Sequence, residues 1–242
     1  VRILALETAT RLGSVALLDG DRLVERDVEL RGDGAVAGLE RLLAEESLDL
    51  RAFDAIGVSV GPGSFTGIRL GVAAAAGLGL AVGLPAIAVG TLDGIAGAAY
   101  DSDWGVSGTL CLASVDAGRG AVYAALYQAT GRETAPRVLW GPELLTLEGL
   151  ARSLLAAIPS PSAGRPGILA GPGAAALAPL FPPETGWDRP AIAARARAGT
   201  VARMAAEKFL AGDTYAPGEL EPVYLRKSDA EIHRERKHPT RG

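Results

Sequence analysis

Two acids and one glycine-rich turn are the residues of this chain whose types and spacing could support chemistry. Glu7 closes the apolar run Ile3-Leu4-Ala5-Leu6, and Asp116 closes Cys111–Val115 in the same way, 109 residues later. Acids at strand ends can hold magnesium through water or position a phosphate, the requirements of phosphoryl transfer. Gly61-Pro62-Gly63-Ser64-Phe65-Thr66-Gly67 follows a third apolar run, Ala55–Val60. Its glycines permit left-handed backbone, Pro62 fixes one angle, and Ser64 or Thr66 can cap a following helix whose amides could meet an anion. The segment matches neither the Walker phosphate loop nor the dinucleotide fingerprint. Three uses remain open: a tight packing turn, a phosphate contact, or a turn shaping a partner surface.

The cationic side of such chemistry is thin. The lysines are Lys208, Lys227 and Lys237, none beside a glycine turn. Arg69 and Arg119 could substitute as cations, but surface pairing is the first reading of both. His233 and His238 are the histidines, both in the polar tail, which argues against a core metal site or a serine–histidine–acid triad built on Ser64. Cys111 is the one cysteine, in an apolar run, so no intramolecular disulfide forms.

The elements that must position these residues recur in one order. Residues 2–7 and 14–18 read as strands, and Leu23–Leu30 extends the sheet. Val36, Leu39, Leu42 and Leu43 mark a helix with Asp33 as candidate N-cap. Ala55–Val60 is a strand, the glycine turn leads into a helix reaching about Gly83, Pro85–Val89 is a strand, and Thr91 is a candidate cap for a helix to Ala99. The second half offers strands at Cys111–Asp116, Ala121–Gln128 and Arg137–Trp140, a helix over Leu144–Ile158, and a strand at Gly167–Ala170. Gly171-Pro172-Gly173 then echoes the first turn at a spacing of 110 residues. A helix over Ile192–Leu210 precedes Tyr215–Leu225. The shared order and spacing point to internal duplication. The expected fold is α/β, with two lobes of mixed sheet: residues 1–103, residues 104–225, and a charged tail over 226–242.

The helix after the glycine turn carries Gly67, Gly71, Ala74, Ala75, Gly77 and Gly79. Each glycine costs an isolated helix about 1 kcal/mol relative to alanine, so close contact with something must compensate. The sequence leaves burial against the sheet and docking against a partner helix equally open. The chain's net charge of −4 recruits no nucleic acid as a whole. The tail from Arg226 to Arg241, with more basic than acidic residues, could touch RNA phosphates or simply be solvated. No stretch reads as a membrane span or a signal segment, and the cytoplasm is the expected location.

Ile3-Leu4-Ala5-Leu6-Glu7-Thr8-Ala9-Thr10, Gly61–Gly71, Asp116–Tyr123 and Pro222-Val223-Tyr224-Leu225-Arg226 together resemble the TsaB family of glycoprotease-like proteins along essentially the whole chain. The resemblance implies an actin-like, sugar-kinase/Hsp70-type (ASKHA) fold. It implies a noncatalytic subunit that binds and activates a TsaD-like transferase, which forms N6-threonylcarbamoyladenosine at tRNA position 37. A TsaE-like ATPase and, through the complex, tRNA are the further partners, and a homodimer is expected in isolation. No cofactor is expected for this chain itself, with ATP or ADP and magnesium belonging to the assembled complex. Carried over by position, the partner interface falls on Val36, Leu39 and Leu43 of one helix and on Ile68, Gly71, Val72, Ala75 and Gly79 of the next. Gly61, Pro62, Gly63, Ser64, Thr66 and Gly67 are assigned a structural role. The family often has Asp where this chain has Glu7, and a His-Ser pair where it has Gly32-Asp33. The competing reading is an active ATPase or small-molecule kinase of the same fold.

Overall fold

The computed structural model describes residues 1–32, 34–101, 107–130, 136–146, 149, 161, 167–188 and 195–226. Strands β1 (Arg2–Glu7), β2 (Gly13–Asp19) and β3 (Arg22–Val28) form an antiparallel meander, as short turns between alternating strands require. Helix α1 (Gly34–Glu45) leads to β4 (Ala55–Ser59), which pairs parallel to β1. Helix α2 (Phe65–Val82) then crosses to β5 (Ala86–Val89), parallel to β4. The sheet order is β3-β2-β1-β4-β5.

Helix α3 (Thr91–Tyr100) begins the passage to a second sheet. Strands β6 (Leu110–Gly118), β7 (Ala121–Gln128) and β8 (Arg137–Thr146) are antiparallel; β9 (Gly167–Ala170) joins β6 in parallel and β10 (Trp187–Asp188) joins β9. Read from β8, the order β8-β7-β6-β9-β10 repeats that of the first sheet, with the same sense at every pairing. The lobes are therefore two-sided mixed sheets of one topology. Helix α4 is a single turn (Ala174–Leu177), and α5 (Ala198–Leu210) closes the helical set.

The sheets fall on either side of the expected boundary at residue 103, which itself lies outside the described residues, but two helices exchange sides. Ile95, Ala96 and Ala99 of α3 pack on Cys111, Ala113 and Tyr127 of the second sheet. Val201, Ala202 and Ala205 of α5 pack on Ile3, Ala5 and Ile87 of the first. Helices α3 and α5 also meet each other, where a Cβ on Gly97 would lie 2.7 Å from Met204 and Thr200. Each sheet thus has one face against this shared helical layer. The opposite face of the first sheet is covered by α1 and α2, and that of the second by Leu177 and Phe181.

Several expectations need correction. Leu144–Thr146 belong to β8, not to a helix; the rest of the expected helix over Leu144–Ile158 lies mostly outside the described residues. The strand survives Gly141-Pro142 through a bulge: Gly141 sits at φ 82°, and pairing resumes between Glu143 and Ala124. Thr91 is the first helical residue of α3; the cap position is Gly90 and the Thr91 hydroxyl is buried without a partner. The helix expected from Ile192 begins at Ala198, its first amides taken by the Ser14 hydroxyl and the Glu25 carboxylate. Asp33, residues 227–242, and with them His233 and His238, lie outside the described residues.

Helix α2 is also the one described helix long and apolar enough to cross a membrane by length and composition, with a mean hydropathy of 1.6. Its inner face accounts for much of that apolarity, since Ile68, Val72 and Ala75 are core residues. The glycines on that face permit an approach no other residue allows. A Cβ on Gly67 would stand 2.0 Å from the Thr8 carbonyl oxygen, whereas one on Gly77 meets nothing within 4 Å. Gly67→Ala should therefore destabilise the chain by at least about 2 kcal/mol, because a backbone carbonyl cannot step aside. Gly77→Ala should stabilise it by about 0.5–1 kcal/mol through helix propensity. Thermal or urea unfolding of the two variants checks the opposite signs.

Candidate functional site

The end of β1 and the start of α2 are fastened into one unit. The Ser64 amide donates to the Ala9 carbonyl at 2.7 Å, and the Thr8 hydroxyl donates to the Gly67 carbonyl at 2.7 Å. Ser64 caps α2, its hydroxyl accepting from the Gly67 amide. Gly61, at φ 116°, and Gly63 leave no room for a side chain: their Cβ atoms would meet the Val223 and Ala9 carbonyls at 2.5 and 2.3 Å. Gly61, Pro62 and Gly67 are buried, and Ser64 and Thr66 are exposed. The geometry of this turn is that of close packing between β4, α2 and the Thr8–Ala9 turn. In the second lobe Gly171 and Gly173 lie against Ser114 in the same manner.

Glu7 is fully buried and faces its own turn. Its Oε1 accepts from the Ala9 and Thr10 amides at 2.9 and 3.1 Å, and its Oε2 accepts from the Thr10 hydroxyl at 2.9 Å. Burial raises its pKa from 4.5 to about 7; these hydrogen bonds and the charge of Arg195 oppose the rise without cancelling it. Asp116 is exposed, and its Oδ1 accepts from the Gly118 amide at 2.7 Å in the turn between β6 and β7. Both strand-end acids thus close the turns that follow them. Among the described residues no group of three or more His, Cys, Asp or Glu side chains could hold a metal ion. A magnesium-held nucleotide does not fit: one carboxylate is buried in its own turn, and the other stands among arginines.

Those arginines line a cleft of about 1170 Å³ between the lobes. Arg11, Arg69, Arg119 and Arg226 border it, and among the described residues Asp116 is the one acid on its walls. Arg69 is held by two rings. Its guanidinium lies 3.8 Å from the Phe65 ring centroid and 5.6 Å from that of Tyr224, and its Nε donates to the Tyr224 hydroxyl at 2.7 Å. Arg226 donates to the Ala117 carbonyl at 2.8 Å. Residues 215–226 bring these groups in: Tyr215 bridges to Ala86, Leu220 enters the first-lobe core, and the Val223 amide donates to Val60. Sequence reasoning singled out Arg69 and Arg119 but missed Arg11, Phe65, Tyr224 and Arg226 as cleft residues. No local pattern joins Arg69 to Tyr224 across 155 positions.

The residues carried over as partner-interface candidates divide by burial. Leu39, Ile68, Gly71, Val72, Ala75 and Gly79 face the chain's own core, while Val36 and Leu43 are half-buried on α1. The exposed face of α2 is Phe65, Arg69, Ala73, Gly77 and Leu80, spaced three and four apart.

A family model described as TsaD, tRNA N6-adenosine threonylcarbamoyltransferase, matches residues 36–234. The chain belongs to this family. Its relatives include TsaB proteins. The tRNA threonylcarbamoyladenosine biosynthesis protein TsaB of Escherichia coli strain K12 is 38% identical over 132 residues, 53% of this chain and 55% of that protein. TsaB of Bacillus subtilis strain 168 is 31% identical over 130 residues, 52% of this chain and 55% of that protein. The chain thus spans about half the length of the curated TsaB proteins it matches. A solved Pseudomonas aeruginosa structure, an uncharacterized protein with similarity to the peptidase YeaZ, superposes with a TM-score of 0.78 at 29% identity, covering 93% of this chain and 99% of that one. The chain is a TsaB-type member with a two-lobed mixed-sheet fold.

The buried acid of this TsaB-type chain makes its stability pH-dependent. A carboxyl whose folded pKa lies above its unfolded value stabilises the fold fully below the unfolded pKa, and the contribution is lost as pH rises through the folded one. For Glu7 that window runs from about 4.5 to about 7, with a loss on the order of 3 kcal/mol. Glu7→Gln keeps an acceptor for the Ala9 and Thr10 amides and removes the titration. The native chain should therefore lose melting temperature relative to Glu7→Gln between pH 5 and 7.5; parallel curves would rule the titration out.

Proposed function

We propose that this chain is a noncatalytic subunit that binds and activates a TsaD-type transferase, which forms N6-threonylcarbamoyladenosine at position 37 of tRNA. The observation that carries the reading is the fate of the two strand-end acids. In a kinase or ATPase of this fold they would face a metal and a phosphoryl group. Here Glu7 is sealed in its own turn and Asp116 stands among arginines. The match to a TsaD-described model together with TsaB-named relatives supports a chain that shares the transferase's architecture and works beside it. On this reading a TsaE-like ATPase and tRNA meet the chain through the complex, a homodimer forms in the partner's absence, and the site of action is the cytoplasm. The matching order of the two sheets supports internal duplication as the origin of the lobes.

The partner surface on this reading is the outer side of α1 and α2. Docking needs a helix that another helix can approach closely, and Ala73 and Gly77 supply short side chains beside exposed Phe65 and Leu80. The buried candidates support that surface from beneath. Ala75 is fully buried, so Ala75→Arg would unfold the first lobe before it altered any docking. Gly77→Arg tests the docking itself, since nothing lies within 4 Å of its Cβ.

The deciding experiment is copurification with the cognate TsaD-type protein, followed by a tRNA-modification assay with and without this chain. Modification should require the chain. Gly77→Arg should lower partner binding at least about tenfold with its melting temperature kept, whereas Ala75→Arg should lose the cooperative melt. A transferase fully active without the chain, or magnesium-dependent ATP turnover by the chain alone, would defeat the proposal.

A further inference from the structure

Two buried hydroxyls stand apart among the described residues. Ser59 and Thr91 are both fully buried, and their side-chain oxygens are the ones left without a hydrogen-bond partner. The polar groups around them are satisfied. The Ser14 hydroxyl accepts from the Ala198 amide at 2.8 Å, the Thr8 hydroxyl donates to the Gly67 carbonyl, and the Glu7 carboxylate accepts from two amides and a hydroxyl. A buried hydroxyl with no partner bears the full cost of leaving water, and native interiors hold few of them.

The two fall in one place. Ser59 ends β4 opposite Val89, and the Thr91 amide donates to the Gly61 carbonyl, so Thr91 follows in the same ladder just past Ser59. Both face the start of α5. A Cβ on Gly57, two residues before Ser59 on the same side of β4, would lie 2.7 Å from Ala205 and 3.5 Å from Val201. One on Gly94, three residues after Thr91 along the same side of α3, would lie 3.7 Å from Ala196 and 3.9 Å from Val201. Val201 is thus common to both surroundings. The distances at Gly94 are ordinary contacts, so this side of α3 has space that a methyl group would fill. The hydroxyls are not bonded to each other across it.

We propose that Ser59 and Thr91 share one buried water beneath the first turn of α5. A water accepts from one hydroxyl and donates to the other, and two polar partners are the least that hold one in an interior. The surroundings suit water rather than an ion: both partners are neutral, and Val89, Ala196 and Val201 pack beside them. The site belongs to the joint between the lobes, because β4 lies in the first sheet while α3 packs on the second. The water ties the end of β4 to the root of α3, whether or not the chain serves a transferase.

Magnetic relaxation dispersion of the full chain, which counts long-lived internal waters, tests the site together with thermal melts. The native chain should hold one more such water than Ser59→Ala/Thr91→Val, and Thr91→Ser, which keeps the hydroxyl, should retain it. Ser59→Ala and Thr91→Val should each lower the melting temperature by about 2–4 °C, since each leaves the other hydroxyl short of its bridge. The double variant, with both hydroxyls gone, should lose less than the sum of the two. Equal water counts in the native chain and the double variant would overturn the proposal. So would a single variant that melts above the native chain, the result expected of two hydroxyls that are simply unpaired, or losses that add in the double variant.

Discussion

The contact on which this structure turns is the approach of α2 to the Thr8–Ala9 turn. Gly63, Gly67 and Gly71 each place a bare Cα where any Cβ would strike Ala9 or Thr8. Two hydrogen bonds, from Ser64 to Ala9 and from Thr8 to Gly67, lock the approach, and Glu7 braces the turn from below. Because α2 is held this near, its first turn brings Arg69 and Phe65 to the cleft while its far side is left outside. One close contact therefore determines both the charged cleft and the exposed helical face.

The approach also gives the acid at the end of β1 a structural task. The turn after β1 bends so tightly that its amides point back toward the strand end. A carboxylate there satisfies two amides and a hydroxyl that burial would otherwise leave without partners, each at a cost of about 1–3 kcal/mol. The same side chain is thereby turned from the cleft. Asp116 does a lighter version of this work in the second lobe, where the turn is open to solvent. The two acids in matching positions differ in burial: Glu7 is sealed in and raised toward neutrality, whereas Asp116 is exposed on the wall of the cleft.

The periodic elements were legible in the sequence because their signals are local. Alternation marked the strands of both meanders, and the glycine turn with Ser64 marked the start of α2. What the sequence hid is the assignment of faces. Positions 67, 71, 75 and 79 and positions 69, 73, 77 and 80 all look small or mixed in the sequence, yet only the former set is buried. A hydrophobic stripe would have separated them, but a glycine that faces a carbonyl and a glycine that faces solvent are the same letter. The exchange of α3 and α5 between sheets was hidden for a related reason. Both helices are small and apolar on several sides, which suits a layer between two sheets and gives no hint of which sheet each one covers. At the bulge of β8 the sequence misled, since Gly141-Pro142 reads as the end of a strand and the chain resumes pairing after it.

The C-terminal strap shows how a cleft can depend on residues far apart in the chain. Pro217 fits over Gly79, where a side chain would collide, and Val223 takes the last carbonyl offered beyond β4. These contacts bring Tyr224 to Arg69 and Arg226 to Ala117, one on each lobe. A single segment thus binds both lobes by packing, Leu220 in the first-lobe core and Leu225 against that of the second, with the Arg226–Ala117 hydrogen bond beside the latter.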